Sequence, residues 1–425
     1  MSTTEAGATQ SSVHPLTEQQ HAMLDFIGSR EDDYYLMVET FRLTGEVDVV
    51  ALRSAVAGLI TRHGSLRSLF PDSADTYLVV PDSPAHIDGV FEEAGAFPSA
   101  DCALRAGIER VARPLKLDAE LPLRVWLGRV SPTETVLAIA GHHLVFDGWT
   151  FKLFYEELAT AYGQQADAPA EQEVSQYWDA AAGGRKTARK PDFRSLLTHG
   201  YQEIRALHAR AIGPLGPAGM AHRHWPGELA GRLREASAGY GVTPYAIGAA
   251  AMLSALSESL GDSQVILGTA FTGRTNGQAA RALGYFSTTV FIGADLAEEM
   301  RPRQFVKAVA LQAITWQMAP RLQWEGLLAE HEGQDLYPLK FAFERAEMAQ
   351  PAPVLPGIAV ERIHPPSSGE GKARRPADIS VTYGDDGIDA RVKFRRDVVD
   401  EAWVNGLLAR FGTHLDTLCS QAADA

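Results

Sequence analysis

The chain has 425 residues, a formal net charge of −14 and a pI near 5.4, with 45% hydrophobic and 22% charged residues. That composition is enough for a substantial core. The acidic balance argues against a nucleic-acid binder and against a protein held on an anionic membrane surface.

No apolar run reaches the roughly 18 residues of a membrane span. Two cysteines, Cys102 and Cys419, are too few for a disulfide framework or a cysteine-rich zinc site, and they fit a reducing, cytoplasmic setting. Residues 1–14 are rich in Ser, Thr and Gln, with neither a basic start nor an apolar centre. They read as a disordered lead-in rather than a signal peptide.

From Pro15 onward the chain is expected to be ordered. Thr17 and Gln20 have the spacing of a capping box at the start of a short helix. Leu36 to Leu43 reads as a strand. Asp48 is placed to cap a helix whose Leu52, Val56, Leu59 and Ile60 share one face, ending at His63-Gly64. Ser65 to Phe70 is expected to be a strand and Asp101 to Arg113 a helix. Leu123 to Val130 and Thr133 to Ala140 read as strands joined by a Ser131-Pro132 turn, and Trp149 to Tyr162 as an amphipathic helix.

Composition then shifts over residues 163–192, which include the basic run Arg185 to Lys190. This divides the chain into an N-terminal lobe over 15–165, a linker over 166–192 and a C-terminal lobe over 193–425. In the second half, Thr243-Pro244 opens a helix with an almost wholly apolar body, Ala246 to Leu256. Strands are expected over Gln264 to Thr269, Gly284 to Ile292 and Lys340 to Glu344, with a helix over 301–318. Ile379 to Tyr383 and Ile388 to Phe394 flank Asp385-Asp386-Gly387 as a hairpin. The last helix aligns Trp403, Leu407, Leu408, Phe411 and Leu415. The predicted class is α/β or α+β in two comparable lobes.

The most informative stretch is Gly141-His142-His143-Leu144-Val145-Phe146-Asp147-Gly148-Trp149. It follows Thr135 to Ile139, an apolar run read as a buried strand. If the strand continues to His143, the two histidines face opposite ways, and only one can serve a given site. There is no dinucleotide or phosphate-binding loop, no Gly-x-Ser-x-Gly elbow and no His-Glu-x-x-His pair. His222 and His224, near Trp225, read as surface or loop residues rather than metal ligands, so no metal is expected.

What remains is an imidazole suited to general acid–base work without an evident Ser or Cys nucleophile. This points to direct acyl transfer, in which the base holds an amine or hydroxyl against an activated carbonyl. Asp147 stands where it can cap the following helix, and a carboxylate buried there needs a cationic partner. Gly148 leaves room for a narrow group to pass close to the backbone.

The stretch resembles the active-site motif of the condensation domains of nonribosomal peptide synthetases, within the chloramphenicol-acetyltransferase-like superfamily. Pro15-Leu16-Thr17, with Gln20 and Met23-Leu24, is similar to that family's opening motif. Arg62 to Phe70 is similar to its arginine-rich second motif. Gly268 to Arg274 and Gly284 to Thr289 are similar to two later ones. Three departures stand out. His21 lies where many members carry arginine, Ser287 replaces an asparagine, and Arg321 to Glu325 lies about where a His-Gln-Asp segment is usual.

The resemblance implies two acetyltransferase-like lobes arranged as a V-shaped pseudo-dimer, with the active site in a tunnel between them. It implies His143 as the catalytic residue, His142 as structural, and Asp147 paired with Arg62, Arg67 or Arg274. Gly148 and Trp149 complete the motif, and Gly284, Tyr285, Ser287 and Thr288 are candidates to line the tunnel. No cofactor of its own is implied. The phosphopantetheine arm belongs to an acyl or peptidyl carrier protein, and the acceptor is a small-molecule amine or alcohol or a second carrier protein.

Because one condensation unit uses the whole chain, the expectation is a free-standing enzyme of natural-product biosynthesis working in trans. Two rivals are a coenzyme A-dependent acyltransferase of the same superfamily and a non-catalytic condensation-like recruitment domain.

Overall fold

The computed structural model describes residues 10–28, 35–72, 74–163, 174–182, 202–211, 215–297, 300–318, 339–346, 352–363 and 371–422. The basic run Arg185 to Lys190, the segment Arg321 to Glu325 and the first nine residues of the expected lead-in lie outside them. The described residues fall into two compact units. One draws on Met1–Gly184, Arg274–Phe286 and Pro351–Pro366, the other on Arg185–Gly273, Ser287–Gln350 and Ser367–Ala425.

The first unit is built on a five-stranded sheet in the order Ala359–Arg362, Leu36–Thr44, Glu134–His142, Leu123–Ser131, Phe91–Ala96. Helices cover both faces of its centre. Val136, Ala138 and Ala140 pack with Ala103, Leu104 and Val111 of the helix Ala100–Val111. Leu137 and Ile139, on the other face, share a core with Leu52, Val56 and Leu59 and with Phe151, Phe154 and Leu158. A strand buried on both faces carries apolar residues without alternation, which is why Thr135 to Ala140 looks continuous in the sequence. The Asp48 carboxylate accepts from the Ala51 N–H at 2.9 Å, the capping bond its position predicted.

The second unit holds a seven-stranded sheet in the order Thr288–Asp295, Gln264–Phe271, Leu339–Arg345, Ala377–Tyr383, Gly387–Arg395, Gly216–Pro226, Lys372–Ala373. Its core joins the helices Gly227–Tyr240, Pro244–Leu260, Pro302–Met318 and Glu401–Gln421 to the inward side chains of the strands. Pro244–Leu260 is buried on nearly every side, and the Phe343 ring comes close to Gly248, where a Cβ would lie 2.6 Å from Cδ2. His222 and His224 lie on the strand Gly216–Pro226 rather than in a loop. Both meet Asp389 Oδ1, at 3.1 and 3.2 Å.

Several expectations are revised. Ser12–Pro15, partly inside the expected lead-in, is a strand paired with Thr76–Val79. Ser65 to Phe70 is not a single strand: Gly64–Arg67 forms a 3₁₀ turn and Ser68–Leu69 a short strand. The Gly64 N–H donates to Gln176 Oε1 at 3.0 Å, which ties that turn to a later segment instead of to a ladder. The expected linker contains the helix Tyr177–Ala182, with Tyr177, Ala180 and Ala181 buried; its small and polar neighbours in sequence hid these few anchoring side chains.

The C-terminal lobe is not one continuous stretch either. Arg274–Phe286 and Pro351–Pro366 cluster with the first unit, where Ala359–Arg362 pairs antiparallel with Leu36–Thr44. Finally, the strand expected from Gly284 begins at Thr288. Residues 284–286 give their backbone groups to side chains of the first unit instead.

Candidate functional site

The strand Glu134–His142 delivers the two histidines to its end. His142 closes the strand and is fully buried, and its Nδ1 accepts the Leu144 N–H at 3.2 Å. That bond helps turn the chain away from the sheet, together with N–H groups of Val145 and Phe146 that both reach the His142 carbonyl at 2.9 Å. His143, one residue further, is only partly buried. The turn itself is held from outside: Gln20 Nε2 donates to the Leu144 carbonyl at 3.0 Å. Gln20 also completes the capping box, with Oε1 3.0 Å from the Thr17 N–H and its own N–H 3.3 Å from Thr17 Oγ1.

Asp147 is buried within the unit. Its Oδ1 accepts the Thr150 N–H at 2.7 Å, a cap on the helix Gly148–Gly163, and an Arg274 N–H at 3.1 Å. Its Oδ2 accepts the Phe286 N–H at 3.0 Å. The two charged side chains are each 2% exposed. Burial pulls the Arg274 guanidinium below the usual arginine range, and Asp147 beside it opposes that shift.

Arg274 further donates to the Ala282 carbonyl at 2.7 Å, the Gly284 carbonyl at 3.1 Å and Thr150 Oγ1 at 2.8 Å. It also donates to the Ala279 carbonyl, and it lies 4.3 Å over the Phe286 ring. Of the three arginines considered for Asp147, Arg274 is the one that meets it. Arg62 pairs with Glu157 at 3.1 Å, and Arg67 donates to the carbonyls of Ile60, Thr61 and Val80.

Around His143 the unit places two aromatic rings. Tyr285 stands 4.8 Å from it between centroids and Tyr35 6.0 Å, both edge to face. Gly148 is exposed, and a Cβ there would find nothing within 4 Å. Trp149 is tied by its indole N–H to the Ala280 carbonyl at 3.1 Å and carries Lys152 over its ring at 5.0 Å. Gly284 is enclosed: an added Cβ would lie 2.0 Å from Tyr177 Cδ2. Ser287 and Thr288 belong to the second unit, Thr288 opening the strand that pairs with Phe271.

Sequence reasoning did not assign roles to Tyr35, Thr150 or Tyr177. Thr150 carried a signal, because a residue three beyond Asp147 is where a capping carboxylate finds its N–H. Tyr35 and Tyr177 carried none without the strand register and the tertiary contacts. Among the described residues, no group of three or more His, Cys, Asp or Glu could hold a metal ion. No helix among them is long and apolar enough to cross a membrane.

Comparison with known proteins gives a coherent answer. The Condensation domain family matches residues 10–424. The isonitrile lipopeptide synthase of Mycobacterium tuberculosis is 28% identical over 282 residues, which is 62% of this chain and 11% of that protein. The chain therefore spans about a tenth of that relative's length. The solved condensation domain of the monacolin K polyketide synthase MokA superposes with a TM-score of 0.71 at 17% identity, covering 97% of this chain and 98% of that one. The X-domain of teicoplanin biosynthesis, solved in complex with OxyB, does so with a TM-score of 0.72 at 20% identity, covering 97% of this chain and 95% of that one.

Proposed function

The chain belongs to the Condensation domain family, and we propose that it joins a carrier-bound acyl or aminoacyl thioester to an amine or hydroxyl acceptor. His143 is the reacting side chain in this reading. Its imidazole holds or deprotonates the nucleophile as the new C–N or C–O bond forms. The C–S bond of the thioester breaks, and the phosphopantetheine thiol leaves with the proton. The thioester arm comes from a carrier protein; the acceptor is a free small molecule or is held by a second carrier. The same chemistry applies whether the chain works in trans or within a longer synthetase.

One observation carries the assignment. Of the polar side chains of the motif, His142 is turned into the fold and Asp147 is committed to Arg274, Thr150 and Phe286, whereas His143 is partly accessible. Asp147 therefore acts as a buried anchor rather than as the orienting acid of a triad.

The test is transfer from an acyl-loaded carrier protein to candidate amines and alcohols, followed by mass spectrometry of the intact carrier. His143→Ala is expected to lower the rate by about 100-fold or more, the usual worth of a positioned base. A full rate in that variant sinks the reading. A second reading, recruitment without chemistry, is favoured by the shared fold of the X-domain solved with OxyB. It predicts stable capture of a partner enzyme and no transfer to any acceptor. Turnover of acyl-coenzyme A in place of the acyl carrier would favour the coenzyme A-dependent rival.

A further inference from the structure

We propose that Tyr285 is a positioning residue for His143, and that the buried network of Asp147, Arg274, Thr150 and Tyr177 acts on the reaction by holding Tyr285 in place. The inference rests on the reading of His143 as the reacting group. It gives Tyr285 a role distinct from lining a substrate path.

The two rings beside the imidazole are placed by different means. In the antiparallel pair of Leu36–Thr44 with Glu134–His142, Leu36 stands opposite His142. Continuing that register by one residue puts Tyr35 opposite His143, and the His143 N–H donates to the Tyr35 carbonyl at 2.9 Å. Tyr35 thus sits one residue before the strand, with its backbone tied directly to that of His143. Tyr285 has no such support, because residues 284–287 belong to no strand or helix. A segment of that kind holds a side chain in one place only if its backbone is held by other groups.

That support is present on each side of Tyr285. The Gly284 carbonyl accepts from Thr150 Oγ1 at 2.6 Å and from Arg274 at 3.1 Å, and the Gly284 N–H donates to Thr150 Oγ1 at 3.1 Å. The Tyr285 carbonyl accepts from the Tyr177 hydroxyl at 2.9 Å. The Phe286 N–H is held by Asp147 at 3.0 Å, and the Phe286 ring lies under Arg274 and against Tyr177, whose ring centre is 5.0 Å away. Gly284 admits Tyr177 because it has no Cβ. An ion pair buried on both sides is costly unless its remaining donors and acceptors are satisfied. Here the Gly284 carbonyl and the Phe286 N–H, on either side of Tyr285, share that task with Thr150 and with the carbonyls of Ala279 and Ala282.

Edge-to-face rings prefer centroid separations of about 4.5–7 Å, a range that includes both contacts on His143. Two rings packed against it limit the swing of the imidazole and keep its reacting nitrogen in one orientation. Displacement of a reacting group by as little as ~1 Å can cost about 100-fold in rate.

Steady-state kinetics of Tyr285→Leu, Tyr285→Phe and Tyr177→Phe, with a carrier-loaded donor, tests this. Tyr285→Leu is expected to lower kcat by roughly 10- to 100-fold while the KM for donor and acceptor and the thermal midpoint stay unchanged. Tyr285→Phe is expected to stay within about 3-fold of the parent, because the ring and not the hydroxyl confines the imidazole. Tyr177→Phe, which removes the donor to the Tyr285 carbonyl, is expected to lower kcat by about 3- to 10-fold.

A Tyr285→Leu enzyme with unchanged kcat, or one whose loss appears in KM alone, overturns the inference. Should Tyr285→Leu not fold, Tyr35→Leu tests the other ring contact on the imidazole with the same expected split between kcat and KM. His143→Ala in the same assay keeps the two levels apart. Full activity there sinks the catalytic reading itself, whereas an inactive His143→Ala beside a fully active Tyr285→Leu sinks only the positioning role.

Discussion

The two units are held together differently. Among the described residues, the buried polar and charged side chains of the first unit include Gln20, His63, Arg124, His142, Asp147 and Thr150, whereas those of the second are Thr269 and Arg395. The second core is close to purely apolar, with Phe341, Phe343 and Phe411 packed edge to face and Trp225 against Phe411. Apolar burial is strong but non-directional, and a core of that kind tolerates small rearrangements. A buried hydrogen-bonded network is costly when incomplete and specifies position when complete. The first unit uses such a network at the end of one strand, beside His143.

The largest expected effects test that division directly. Asp147→Ala leaves the Arg274 guanidinium buried without its carboxylate and removes the acceptor for the Phe286 N–H. It is expected to cost about 3–5 kcal/mol of stability and to abolish most turnover. Phe411→Ala opens a cavity among aromatic rings in the second unit and is expected to cost a similar ~3–5 kcal/mol. At temperatures where both variants remain folded, kcat should fall in Asp147→Ala and hold in Phe411→Ala. Urea unfolding combined with turnover measures both quantities. If Phe411→Ala lost kcat in proportion to its stability, the division would fail.

The same contrast explains what could be read from the sequence. Periodicity and capping gave the elements whose stability is local: Asp48 before Val49–Arg62, and the apolar face of Trp403, Leu407, Leu408, Phe411 and Leu415 in Glu401–Gln421, follow from single-element physics. The candidate site was legible at His142, His143 and Asp147 because a strand, a turn and a helix start are consecutive there. Arg274 could be named only as one of three arginines, since choosing among them needs the fold that brings residue 274 to residue 147. Tyr177 was hidden in a stretch whose composition resembles a linker, and Tyr35 depended on strand register. Residues 284–286 misled because their glycine and aromatics look strand-like while their backbone groups are taken by side chains from elsewhere.

A smaller effect separates the units by pH. Glu157 in the first unit lies 2.8 Å from the buried His63 ring and 3.1 Å from Arg62. Burial alone would raise its carboxyl, but hydrogen bonds and charge from His63 and Arg62 hold it below the ordinary glutamate value. A carboxyl lowered in the folded state contributes stability that is fully present above its unfolded value. That contribution is lost as pH falls through the folded one. As pH falls below the ordinary glutamate value the parent should therefore lose stability more steeply than Glu157→Gln, converging with it in acid. Asp389 in the second unit is also lowered, against burial, by His222 and His224, but it is 39% exposed. Asp389→Asn should change the acid limb by less than about 1 kcal/mol. Equal effects of the two substitutions would show that burial of the pair does not matter.

The mildest perturbation is chemical labelling, which reads each unit without altering it. Cys102 is exposed on the helix Ala100–Val111, and Cys419 is buried in the helix Glu401–Gln421. Burial, aided by Asp416, pushes the Cys419 thiol up to about 12, so it carries almost no thiolate near neutrality. An aromatic disulfide reagent should modify Cys102 quickly and Cys419 only when the second unit opens. In a Cys102→Ser background, the rate at Cys419 then reports that opening. Phe411→Ala should raise it by about 100-fold or more, in line with a loss of ~3 kcal/mol, while Asp147→Ala leaves it nearly unchanged if the units open independently. Acceleration by Asp147→Ala to the same degree would mean that the network beside His143 also stabilises the second core, and that the two units unfold as one.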